Sequence, residues 1–313
     1  MISMKDTAKS PLTVPSTKAN TRWGPDRRQA FIDFRLQWEG RINRSDITSF
    51  FGISVPQASL DIASYTEQAP HNLAYDRSSR VYQATTDFRP LYEATHPQQY
   101  LNELLAATGG SFEPEASFIG WLPPTGCIPQ PGRTVTADTL SALLKAMKEA
   151  KGLKVVYQSM SKPEPSSRTI SPHAFAYDGF RWHVRAFCHK REEFLDFVLG
   201  RILEVQGFES ARCTANEDRE WFTELTLVLA PHPELSAGQR RVIELDYGMN
   251  DGEVALRCRQ ALLFYTLKRL GLDKLRLDQP EAQQIVLKNE AELASFLVGT
   301  KISIEQTCTS TSV

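Results

Sequence analysis

The sequence predicts a multidomain α/β chain of the α+β kind, and three observations carry that prediction. Residues 23 to 90 read as three short helices followed by a β-hairpin. Residues 153 to 208 read as a closely spaced series of short strands, which favours a small β-barrel, and the stretch beyond residue 213 mixes strands with helices. At 313 residues the chain exceeds one ordinary core, so about two or three domains are expected.

In the first region, Phe31, Phe34 and Trp38 recur at helical spacing after Pro25, and Gly40 ends that helix. A second helix fits Arg44 to Phe51, burying Ile47, Phe50 and Phe51, with Gly52 as a left-handed cap. Ser54 and Gln57 then stand at capping-box spacing and open a third helix running to about Glu67. Leu73 to Tyr75 and Val81 to Thr85 flank the polar turn Asp76-Arg-Ser-Ser-Arg80, a candidate wing. A helix from Pro97 to Thr108 leads to the Pro and Gly-rich stretch Pro123 to Gly132, which reads as a linker.

A further helix, Ala137 to Lys151, carries Leu140, Leu143, Leu144 and Met147 on one face and is expected to stop at Gly152. The strand-like runs that follow are Leu153 to Ser159, Arg168 to Phe175, Arg181 to Cys188, Phe194 to Leu199 and Ile202 to Phe208. After them come a strand at Phe222 to Leu229, helices at Ser236 to Asp246 and Gln260 to Leu270, a strand at Glu253 to Cys258, and a final strand and helix. The element pattern divides the chain into an arm at 1–22, a winged helix-turn-helix at 23–92, a linking segment at 93–136, a barrel at 137–212 and a C-terminal α+β module at 213–313, which is assigned as the dimerisation extension.

The hydrophobic and charged fractions, 41% and 23%, match globular averages and exclude a fibrous or wholly disordered chain. A net charge of -1 gives no global attraction for nucleic acid, so any such surface must be a local patch. No run approaches the roughly 18 apolar residues of a membrane span, and MISMKDTAKSPLTVPSTK lacks a signal-peptide core, which predicts a cytoplasmic protein with no membrane partner. The five cysteines (Cys127, Cys188, Cys213, Cys258, Cys308) form no CxxC pair, so neither a metal nor a disulfide framework is expected.

A helix-turn-helix places its second helix in the major groove. That leaves Val55, Pro56, Gln57, Ser59 and Leu60 facing the groove, with the capping Ser54 counted among the DNA-binding residues. Gln57 has two readings of equal weight, a bidentate pair with adenine or the reciprocal half of the capping box. Arg44, Arg77 and Arg80, with Ser78 and Ser79 between the last two, suit phosphate, although a solvated hairpin tip explains the turn arginines too. Residues 22 to 90 hold nine Lys and Arg against eight Asp and Glu, a thin margin for DNA.

On the strand Arg181 to Phe187, Trp182, Val184 and Ala186 share the face expected to meet the core. Arg181, His183 and Arg185 share the other, spaced by about 7 Å, which is repulsive unless an anion or carboxylate answers it. Arg168, His173 and Arg201 can join them from neighbouring strands. An anionic ligand is the preferred reading, with ion pairs to Asp196, Glu192 and Glu193 as the rival.

The runs Tyr157-Gln-Ser159, Arg168 to Pro172, Trp182-His-Val184, Phe194 to Phe197 and Arg201-Ile202 resemble a WYL domain, with Trp-His-Val in place of the naming tripeptide. Ser171-Pro-His-Ala174 and Arg181 to Phe187 are similar to dimeric repressors found beside bacterial phage-defence operons. The resemblance implies an Sm or SH3-like barrel whose Ser159, Arg168, His173, Arg181, His183, Arg185 and Arg201 bind a nucleotide or single-stranded nucleic-acid effector. It also implies a homodimer on a pseudo-palindromic duplex operator that the effector releases, and no cofactor. A nucleic-acid-sensing adaptor whose N-terminal domain binds protein is the alternative. Catalysis has only Ser171 with His173 or Cys188 with His189 to offer, without a nucleophile elbow or phosphate loop.

Overall fold

The computed structural model describes residues 24–92, 96–108, 117–272 and 280–300; the expected arm at 1–22 and Cys308 lie outside them. The chain divides into two compact units at Pro129/Gln130.

The first unit starts with α1 (Pro25–Glu39), β1 (Arg41–Ile42), α2 (Arg44–Phe51) and α3 (Val55–Gln68). Asn43 caps α2 through the backbone N–H of Asp46. Between α2 and α3 the chain reverses at Gly52, whose φ of 65° lies in the left-handed region that a side chain resists. The strands β2 (Leu73–Asp76) and β3 (Val81–Ala84) form the wing, and β1 adds a third strand to give the order β1-β3-β2. That third strand is too short for a sequence period to show.

The core is aromatic: Phe31 stacks on Phe50 and meets Phe51 and Phe118 edge-on. The helix α4 (Pro97–Thr108) packs its Tyr100 and Leu104 on this core, and Phe118 and Ile119 are buried in it. A segment expected to be linker is thus partly structural, because these apolar side chains complete a three-helix core that is otherwise open on one side.

In the second unit α5 (Ala137–Lys148) precedes an antiparallel sheet of β4 (Lys151–Tyr157), β5 (Ser166–Tyr177), β6 (Trp182–Cys188), β7 (Glu193–Val198) and β8 (Ile202–Ser210). Their order is β7-β6-β5-β4-β8, with register shifts in the β4–β8 and β5–β6 pairs that add curvature. Leu143 and Ala146 of α5 close the core over Leu153, Val155, Val184 and Ala186. The helix stops before Gly152, which instead lies in β4. A Cβ there would stand 2.9 Å from the Ser210 carbonyl, so this glycine serves strand approach and not helix capping.

The chain continues through a turn at α6 (Arg219–Phe222) to β9 (Glu224–Pro231), α7 (Ala237–Asp246), β10 (Val254–Arg259), α8 (Leu263–Arg269), β11 (Ile285–Leu287) and α9 (Glu290–Thr300). The sheet order is β10-β9-β11, and Leu227, Leu229, Ile243, Leu263 and Ile285 form its core. Among the described residues no helix is long and apolar enough to cross a membrane.

Candidate nucleic-acid and ligand surfaces

The helix α3 is held from behind. Arg28 of α1 grips Asp61 with two bonds, Nε to Oδ2 at 2.7 Å and Nη2 to Oδ1 at 3.1 Å, and Gln29 donates to the Asp61 carbonyl at 2.8 Å. Gln57 spends its amide on the same carboxylate at 3.1 Å. Ser54 does accept from the Gln57 N–H, but the Gln57 side chain does not return the bond. One turn up the helix, Asp61 outcompetes the cap because it is buried and already ordered by Arg28.

Over the first six residues of α3 what remains exposed is apolar. Val55 is 58% and Leu60 65% exposed, with Pro56 exposed between them. Ser59 bonds back to the Val55 carbonyl and accepts from Arg44 Nε at 2.9 Å. Arg44 also donates to the Tyr82 hydroxyl at 2.8 Å, so it ties the helix to the wing instead of standing free.

At the wing tip Asp76 accepts from the Ser78 N–H and from the hydroxyls of Ser78 and Ser79. These bonds lower its carboxyl to about 2. The serines therefore shape the turn, and Arg80 closes it at a φ of 59°. Arg77 and Arg80 project into solvent, with no ion pair to any described residue.

A second buried network anchors the chain after the wing. Asp33 accepts from the Tyr65 hydroxyl and from the N–H groups of Leu91 and Tyr92. Asn72 donates to the Tyr65 hydroxyl and to the Arg89 carbonyl, at 2.9 and 2.7 Å. Burial raises the Asp33 carboxyl, and these donors partly offset it. Sequence reasoning missed both acids, Asp33 and Asp61; their place at core-facing helical spacing in α1 and α3 was the available signal.

In the second unit the expected arginine row is answered by carboxylates, and His183 and Arg185 are buried. Arg185 is 1% exposed and donates to both Asp218 oxygens, at 2.7 and 3.0 Å, and to Glu220 at 2.7 Å; Asp196 stands 3.5 Å away. Burial works against its charge, but the three carboxylates hold it protonated. His173 hydrogen-bonds Asp218 at 2.9 Å, and His183 hydrogen-bonds Asp178 at 3.0 Å, which also takes Arg181 at 3.2 Å.

Burial would raise the Asp218 and Asp178 carboxyls, yet their cationic and backbone donors bring both to about 2. His183 is pulled below its ordinary value by burial, against the opposing pull of Asp178. The expectation of an unanswered row waiting for a ligand fails here because the chain supplies the anions itself: Asp218 and Glu220 answer Arg185, and Asp178 answers Arg181 and His183. The face opposite differs as well: Val184 and Ala186 are core, but Trp182 is 52% exposed.

The seven expected ligand residues thus fall in three places. Arg185 and His173 meet Asp218, and His183, on the same strand as Arg185, meets Asp178. Arg168 is buried with its guanidinium 5.7 Å from the Tyr157 ring, and Ser159 pairs with Ser161 at 3.2 Å. Arg181 and Arg201 line a separate open cleft beside Arg133, Tyr177, Phe180 and Trp182. The local pairs weighed for catalysis also rearrange, since Ser171 bonds His189 at 2.7 Å and Cys188 is buried in the core. Among the described residues no carboxylate hydrogen-bonds His189, and Ser171 also accepts from the Arg212 N–H, so the pair lacks an orienting acid.

Comparison with known proteins follows the same division of the chain. Residues 25–106 match the BrxR transcriptional regulator winged helix-turn-helix domain, 138–206 the WYL domain, and 224–293 the BrxR transcriptional regulator, C-terminal dimerization domain. Over 284 residues the chain is 48% identical to the DNA-binding transcriptional repressor CapW of Escherichia coli (strain KTE188), covering 90% of this chain and 94% of that protein. It belongs to the CapW family. The CapW of Stenotrophomonas maltophilia is 45% identical, with 90% and 95% covered, and that of Pseudomonas aeruginosa 44%, with 94% and 99% covered. Among solved structures, the proteasome accessory factor B/C of Arthrobacter aurescens aligns at 13% identity, covering 96% of this chain and 52% of the other, with a TM-score of 0.24 that carries no argument. CapW membership accounts for all three matched segments at once, and the polar networks described above fall inside them or on the short segment between the last two.

Proposed function

We propose that this chain is a DNA-binding transcriptional repressor that acts as a homodimer and is released from its operator by an anionic effector. One observation carries the DNA side: α3 is braced to α1 through Arg28 and Asp61, while Val55, Pro56 and Leu60 stay open beside a wing tip bearing Arg77 and Arg80. A rigid helix with an open N-terminal face is what a major groove accepts, and apolar side chains there suit thymine methyl groups. Ser54, Gln57, Ser59 and Arg44 then act by holding that face, and Arg77, Arg80 and the intervening turn meet phosphate.

The matched dimerisation segment, together with exposed Val242 and Leu245 on α7, supports a two-fold pair presenting two such helices to half-sites about one helical turn apart. Control by a nucleotide or nucleic-acid effector at the central domain, and a place beside a phage-defence operon, complete the reading. The effector must bind one state better than the other to shift the equilibrium.

The test is a footprint of the full chain on its own upstream duplex, with Leu60→Glu beside wild type. A protected inverted repeat, lost by about tenfold or more in the variant, is the expected result. Binding of single strands alone, with no duplex protected, would overturn it in favour of an adaptor.

A further inference from the structure

The central domain carries an open cleft of about 490 Å³, within the usual size range of small-ligand sites, at the end of the β5–β6 hairpin. Arg133, Arg181 and Arg201 all line it. Arg181 is paired to Asp178, a carboxylate it shares with His183, whereas neither Arg133 nor Arg201 has an ion pair to any described residue. Arg133 is fixed through one nitrogen only, Nε donating to the Phe180 carbonyl at 3.2 Å, which leaves both terminal nitrogens for another acceptor. With Asp178 answering Arg181, the charges of Arg133 and Arg201 are left for an anion to neutralise.

Beside them stand three aromatic rings that the fold leaves in water. Phe180 is 61%, Trp182 52% and Tyr177 47% exposed, and the Tyr177 and Trp182 rings pack 5.0 Å apart as one platform. Neither feature alone names a ligand. Together they match a molecule with a flat aromatic part and a phosphate, because aromatic faces hold bases while arginine forks hold phosphate oxygens.

We infer that this cleft is the effector site, and that it binds a nucleotide or a short single strand with its base on the Tyr177–Trp182 platform and its phosphate between Arg133 and Arg201. The assignment rests on the effector reading above and moves it away from the buried Arg185. It also supplies a route for control. Arg133 sits just beyond the Pro129/Gln130 boundary between the two units, on a segment so close to Gly200 that a Cβ there would stand 2.9 Å from the Thr134 carbonyl. A phosphate drawing on Arg133 therefore acts directly on the connecting segment.

The probe is a fluorescein-labelled, 5′-phosphorylated oligodeoxyadenosine of a few nucleotides, titrated into the full chain by anisotropy, with inorganic tripolyphosphate as a competitor without bases. Trp182→Ala and Arg133→Ala, both at exposed positions, are each expected to weaken binding about tenfold or more. Tripolyphosphate should compete poorly. Circular dichroism and melting of each variant confirm that it folds, and Arg133→Lys, which keeps the charge without the fork, should recover only part of the loss.

Unchanged affinity in both variants would overturn the cleft, and equal affinity for tripolyphosphate would overturn the base platform. Operator release is read separately with labelled duplex. Release that survives both substitutions places the effector elsewhere and sinks this site alone. Binding at the cleft without any release keeps the site and sinks the effector reading.

Discussion

The wing tip and the middle of β6 each present arginines in a pattern that suggests an anionic partner, and the fold treats them in opposite ways. Arg77 and Arg80 stay in solvent around a turn held by Asp76, whose own charge is spent on serine donors. Arg185 is enclosed by Asp218, Glu220 and Asp196, and the neighbouring His183 and Arg181 share Asp178. A partner that comes and goes requires charge left accessible; charge matched inside the chain fixes the seat of one segment on another. Burial of the matching carboxylates separates the two cases, and residue spacing on a strand does not.

The largest effect expected from this contrast is on stability. Arg185→Ala removes one cation and strands Asp218 and Asp196, both nearly excluded from solvent. Breaking a buried ion pair from one side costs about 3–5 kcal/mol, so the second unit should unfold at much lower denaturant while the first is unaffected. Urea titrations followed by tryptophan fluorescence check it. A variant as stable as wild type would make Arg185 a candidate for ligand binding again.

Next in size is a pH effect centred on Asp218. Its carboxyl sits at about 2 in the fold against 3.8 when free, so the folded chain binds fewer protons and the contribution is fully present above about pH 4. It is lost as pH falls toward 2. The difference corresponds to about 2 kcal/mol. Asp218→Asn should lower stability at neutral pH and flatten its decline between pH 4 and 2; an unchanged slope would remove Asp218 from the network.

Much of this molecule is legible from its sequence, and the failures share a cause. The helices α1 and α2 and the Gly52 turn follow from apolar spacing and local caps, which are properties of neighbouring residues. The strands of the central sheet follow from alternation, to within a few residues at each end. What does not show is pairing at long range: Arg28 with Asp61, Asp33 with Leu91 and Tyr92, and Arg185 with Asp218 are separated by 33, 58 or 59, and 33 positions. A single sequence ranks no one carboxylate above another as the partner of a given cation. Ser171 and His189 make the same point, since the residues nearest in sequence to each were the wrong partners to test.

The smallest effect on stability should come with a clear effect on binding. Arg77 and Arg80 are exposed and support no described side chain, so replacing either with Ala should change stability by less than about 0.5 kcal/mol. Removing one arginine from its phosphate should lower the slope of log affinity against log salt by about 0.9, and removing both should lower it by nearly twice that. Because phosphate carries no sequence information, affinity should fall by a similar factor for operator and for scrambled duplex, leaving their ratio intact. Anisotropy titrations at several salt concentrations on both duplexes separate this from base reading. A fall in the ratio would mean the wing reads bases, and an unchanged slope would mean that the exposed cations at the tip are solvated charge and nothing more.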